Sequence, residues 1–149
     1  MKSMFEQGVP DALLARVGSL TPSTEHRWGK MGVAQMLAHV CTTLEVASGK
    51  RTARRLMIGR ILGPMFRKRY YDDSEFTKNS PTHPTFVVTD ECDFGTEKER
   101  LIRLIREFAG AGEAGVTKEP HAFFGRLSPA EWGIGTYKHL DHHLRQFGA

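Results

Sequence analysis

Residues 128–147 read Ser128-Pro129-Ala130-Glu131-Trp132-Gly133-Ile134-Gly135-Thr136-Tyr137-Lys138-His139-Leu140-Asp141-His142-His143-Leu144-Arg145-Gln146-Phe147. Ser128 followed three residues later by Glu131 forms a capping box, and Pro129 occupies the favoured first helical position. A helix from there to about Phe147 puts Tyr137, Leu140, Leu144 and Phe147 on one apolar stripe, at about 100° per residue. Gly133 and Gly135 each cost about 1 kcal/mol relative to Ala inside a helix, so the first turns are expected to be irregular.

Working outward, three other segments carry helical periodicity. Gly32 to Ser48 places Val33, Met36, Leu37, Val40 and Leu44 at helical spacing and stops at Gly49, with a shorter helix expected before it at Pro10 to Val17. A second runs from about Thr52 to Leu62 and should end before Gly63-Pro64, a strong breaker. A third opens with Thr96 and Glu99 as a capping box, carries the row Leu101, Leu104, Ile105 and Phe108, and closes at the glycines from Gly110 to Gly115. Tyr70 to Phe94 is the least helical stretch: Pro81 and Pro84 forbid a continuous helix, and Thr85 to Thr89 is a short β-like run. The pattern predicts an all-α single domain over residues 1–149. Its core comes from apolar stripes on four helices, with a loop-rich crossover between the second and third bundle helices.

The composition narrows the class. A chain of 149 residues with 40% hydrophobic and 26% charged side chains suits one globular domain. No apolar run reaches the roughly 18–20 residues of a membrane span. The start, MKSMFEQGVPDALLARVG, lacks the apolar core of a signal peptide, so a cytoplasmic protein is expected. Cys41 and Cys92 form neither a CxxC pair nor a secreted framework and read as small, partly buried hydrophobes. The net charge of +4 identifies no partner. Its distribution is uneven, because Lys50, Arg51, Arg54, Arg55, Arg60, Arg67, Lys68 and Arg69 follow one another without an acid. Such a run is either a solvated face or an attractor for an anionic substrate, a phosphate backbone or a membrane surface. We expect its side chains to be largely exposed and to add little stability.

Seven histidines occur, and their placement matters more than their number. His139 and His143, four apart, stack on one helix face at the flank of the apolar stripe, whereas His142 falls on the far side. Two imidazoles at that spacing make a natural metal chelate. His39 lies about 60° from Met36 on the first long helix, again beside the core. Burial of an unpaired imidazole is costly, so it needs either a carbonyl or water partner or a metal. The three converge if the first and last long helices are neighbours. Three histidines would leave coordination positions open. His26, His83 and His121 read as surface or loop-tethering residues, with His121 the candidate for a pocket rim; Trp28, Trp132 and Phe124 read as core. Asp141 and Glu45 point away from the histidine face, so no general base is visible.

Trp28, Met36-Leu37-Ala38-His39 and His139-x-x-x-His143-x-x-Gln146 together resemble the DinB-like superfamily of four-helix bundles. The stretch from Phe123-Phe124-Gly125 through Trp132 to Gln146-Phe147 is similar to a branch of that superfamily with no assigned function. The His142-His143 doublet departs from the pattern. The resemblance implies a DinB-like four-helix bundle in which His39, His139 and His143 hold one divalent metal ion, Zn or Ni first among the metals that suit three imidazoles. It also implies a low-molecular-weight thiol as cosubstrate, and a metal-dependent transferase or hydrolase acting on a small molecule. A homodimer is a further expectation, with no membrane partner. A non-catalytic metal-binding or stress protein is the alternative. Nucleic-acid binding is disfavoured, because the basic run carries few aromatics and no known binding motif.

Overall fold

The computed structural model describes all of residues 1–149. It contains six helices and no strands: α1 (Val9–Ser19), α2 (Val33–Ala47), α3 (Met57–Phe66), α4 (Lys68–Tyr71), α5 (Phe94–Ala111) and α6 (Pro129–Gln146). Short 3-10 turns lie at Pro84–Phe86 and Gly112–Gly115. No helix is long and apolar enough to cross a membrane.

α2 is the central element. It carries no charged residue before Glu45 and buries Val33, Met36, Leu37, Ala38, His39, Val40, Cys41, Thr42 and Leu44 in succession, so its apolar surface wraps most of the helix. It packs against both α5 and α6, and α1 packs against the same two helices, so α1 takes the place in the core expected for the Thr52–Leu62 helix, whose counterpart α3 touches only α4 among the helices. α5 contributes Leu101, Leu104, Ile105 and Phe108 from one face, as its spacing predicts.

α6 begins as its sequence requires. The Ser128 hydroxyl accepts from the Glu131 N–H (3.2 Å), and the Ser128 N–H donates to the Glu131 carboxylate (2.7 Å). Its first turns are regular, contrary to the expectation from Gly133 and Gly135. These glycines are positions of close approach. A Cβ on Gly135 would lie 1.9 Å from the Tyr70 ring, so only glycine lets that buried aromatic seat against the helix.

Three local expectations are corrected. α5 starts at Phe94, because Asp93 rather than Thr96 caps it: the Asp93 carboxylate accepts from the Thr96 N–H at 2.8 Å. The helix expected over Thr52–Leu62 begins at Met57 and runs through Gly63-Pro64 to Phe66. Pro64 there denies a donor only to the carbonyl of Arg60, an exposed residue where solvent can replace it. Gly63 sits against Phe123, whose carbonyl oxygen would be 2.0 Å from any added Cβ. The β-like run Thr85–Thr89 is no strand. Phe86 N–H bonds the His83 carbonyl and Val87 N–H bonds that of Pro84, curling the segment into a turn with Phe86 buried.

The basic run is mostly exposed, with Arg55 and Arg67 as exceptions. Arg67 is half-buried and donates twice to the Glu131 carboxylate (2.9 and 2.7 Å), tying the end of α3 to the cap of α6. Trp132 is core, whereas Trp28 is only partly buried, with its ring 5.7 Å from His142 and the Lys78 ammonium above it. Phe124 packs from the edge of the core.

Candidate metal centre

α2 and α6 lie side by side, and their contact brings His39, His139 and His143 together. His39 and His143 are buried, His139 partly so. One ring nitrogen from each lies within 4.8 Å of the others, and ring centroids are 4.7–5.2 Å apart. The three can therefore hold one metal ion. His142 takes no part: it projects beside Trp28 and Phe76, as its place on the far side of α6 predicts.

The second nitrogen of each ring has an oxygen partner. His39 Nδ1 stands 2.8 Å from the carbonyl of Phe86, which can only accept. The Thr43 hydroxyl donates to the Val40 carbonyl (2.9 Å), so its oxygen accepts from His139 Nδ1 at 3.3 Å. His143 Nδ1 lies 2.8 Å from Gln146 Oε1, and the Gln146 amide is oriented by its NH2 donating to the Trp28 carbonyl (2.8 Å). All three rings thus carry their proton on Nδ1 and leave Nε2 bare. His39 Nε2 and His139 Nε2 face each other at 3.3 Å. Two nitrogens bound to a tetrahedral zinc stand about 3.3–3.4 Å apart, given bonds of about 2.0–2.1 Å.

Burial keeps the rings neutral. Desolvation lowers the pKa of His39, that of His139 to well below its ordinary value, and that of His143 to about 3; the neighbouring imidazoles add to the last two shifts. Neutral imidazole is the metal-binding form.

No carboxylate attends the site. Glu45 is paired with Arg100 at 2.7 Å and Asp141 with Arg16 at 2.6 Å, so neither serves as a base there. His121 and His83 tether their loops. His121 Nδ1 accepts from the N–H groups of Phe123 and Phe124, and His83 Nδ1 accepts from that of Thr85. The sequence reading missed the three oxygen partners. Thr43 and Gln146 were accessible in principle, at i+4 from His39 and i+3 from His143. The Phe86 carbonyl had no local signal, because the crossover brings it from 47 residues away.

Comparison with known proteins finds no significant match among curated proteins or solved structures. A family model does match, over residues 5–149, nearly the whole of the domain just described. The chain belongs to the family described as Protein of unknown function (DUF1569).

Proposed function

We propose that the chain is a DinB-like four-helix bundle, built on α1, α2, α5 and α6, that binds one divalent metal ion through His39, His139 and His143. Zn or Ni is the expected ion. The carrying observation is the set of three Nδ1–H groups, each committed to an oxygen, which turns three bare Nε2 atoms toward one another. The His39 and His139 Nε2 atoms stand 3.3 Å apart, and burial disfavours the charged form of both rings. A cation between them would bind both lone pairs.

The proposed activity is that of a metal-dependent, thiol-dependent transferase or a related hydrolase acting on a small molecule. Three protein ligands leave a tetrahedral ion a position for water, substrate or thiolate, and such an ion acidifies whichever it binds. The chain's part is to hold the rings in one tautomer and to keep them neutral. The commitment of Glu45 and Asp141 to arginines favours a thiolate nucleophile, which needs no carboxylate base once the ion has taken its proton's place. The same observation supports the second reading, a metal-binding protein without turnover.

Elemental analysis of the purified protein tests the centre. About one ion per chain is expected, lost on His139→Ala or His143→Ala and kept on His142→Ala. Metal retained by both ligand variants would overturn the assignment. Assays with low-molecular-weight thiols and electrophilic small molecules then separate the enzyme from the carrier: thiol consumption that requires the metal supports the first, and its absence with metal bound supports the second.

A further inference from the structure

The triad uses none of the basic run between Lys50 and Arg69. Four of its arginines, Arg51, Arg54, Arg55 and Arg60, line a cleft of about 350 Å³ between the start of α3 and the loop carrying Thr117 and Glu119. That volume lies within the range of small-molecule sites, about 300–1,000 Å³. Glu119 is the only acid in its wall.

Elsewhere five arginines meet an acid, Arg16 with Asp141, Arg67 with Glu131, Arg100 with Glu45, Arg103 with Glu107 and Arg145 with Glu75, whereas Arg27, Arg69, Arg106 and Arg126 meet none. In the cleft, Arg54, Arg55 and Arg60 have no acidic partner within ion-pair distance, and Arg51 has only Glu45 at 4.0 Å. Arg55 is held in place, since its Nη2 donates to the Gly59 carbonyl at 3.3 Å and its guanidinium rests on Gly125. Its Nε is buried with no hydrogen-bond partner. Several like charges around one concavity raise the local potential, and a buried N–H without an acceptor is costly. An anion in the cleft would offset the first; Arg55 Nε, closed to solvent, lies out of its reach.

We infer that this cleft binds a small molecule through a phosphoryl group. Arg51, Arg54, Arg55 and Arg60 come from one ten-residue stretch and line one concavity, so more than one guanidinium is available to a tetrahedral oxyanion, which accepts from several directions. A planar carboxylate is filled by one or two forks. The half-open concavity, rather than an extended basic stripe, points to a metabolite instead of a nucleic-acid backbone. The cleft also touches the supports of the triad. His83 Nε2–H donates to the Arg54 carbonyl at 2.9 Å, and its ring packs 5.3 Å from that of Phe86, whose carbonyl fixes His39. The site requires no metal, so it stands or falls apart from the reading of the triad.

Calorimetric titration with pyrophosphate at constant ionic strength tests it, run on the wild type and on His139→Ala so that phosphate meeting metal at the triad is not counted. Saturable binding is expected in both proteins. It should weaken about tenfold or more in Arg54→Gln/Arg60→Gln, a loss readable as a shifted dissociation constant. Arg103→Gln/Arg106→Gln on α5, the same change in charge, should leave it unaltered. Both pairs of substituted arginines are exposed, so the variants are expected to fold. Equal weakening in the two double variants would reduce the effect to net charge and overturn the site. So would binding abolished by His139→Ala, or no saturable binding at all. Citrate held as tightly as pyrophosphate would overturn the phosphoryl assignment.

Discussion

Gln146 shows how much of the centre depends on a residue that touches no ligand position. Its amide oxygen fixes the proton of His143 on Nδ1, and its NH2 group anchors the same side chain to the Trp28 carbonyl. Without it, the Nδ1–H of a buried ring has no acceptor, and the ring can present the wrong nitrogen. Gln146→Ala should therefore weaken metal binding about 10–100-fold while all three imidazoles remain, measured by competition with a chromophoric chelator. Thr43→Val should act in the same direction through His139. Unchanged affinity in both variants would mean that packing alone orients the rings. The convergence of the three histidines was legible in the sequence because their spacing places two of them on one helix face and the third beside a core stripe. The Phe86 carbonyl was not legible, since any residue type carries one and only the path of the crossover selects it.

At the scale of the element, α6 and α3 differ in how far local rules decide the outcome. α6 follows its capping box and apolar period from Pro129 to Gln146, because its cap, stripe and tertiary contacts agree. α3 overrides a breaker. Gly63-Pro64 reads as a stop, but Gly59 and Gly63 are buried against the Ala122–Phe123 backbone, and that docking outweighs one lost backbone bond. Only tertiary contact distinguishes a glycine that ends a helix from one that lets it be approached. Gly135 makes the distinction measurable. On propensity alone, Gly135→Ala would gain about 1 kcal/mol. The new methyl would meet a Tyr70 ring wedged among His121, Phe124 and Trp132, with centroids 4.9–6.1 Å away. Overpacking of this kind costs about 1–3 kcal/mol. We expect a melting temperature several degrees below wild type; a rise would show that the Tyr70 ring yields freely.

For the whole molecule, the neutral histidines set the response to acid. Burial lowers His39, His139, His143 and His121 in the folded state, the last two to about 3. In the unfolded chain each titrates near 6.5. Between those values the unfolded state binds protons that the fold refuses, so stability falls as pH drops below about 6.5 and is fully present above it. Each such group contributes up to about 1.4 kcal/mol per pH unit. Denaturant unfolding of the metal-free protein should therefore show a midpoint that declines steeply from pH 7 to pH 5. A flat profile would mean that the rings accept protons without unfolding.

His39 and His139 are 100 residues apart in the chain. At about 5–20 residues per second, roughly 5–20 s of synthesis separate the first histidine from the second. Until then a nascent chain offers a passing ion one imidazole of the three and not the triad's chelate. An ion bound at the centre is acquired after the ribosome has finished residues 139–146, from whatever pool the folded protein meets. The metal found in a purified sample would then be a record of the growth medium and the cell's free ions as much as of the site's own preference, and comparison of preparations from zinc-rich and nickel-rich cultures would read that record.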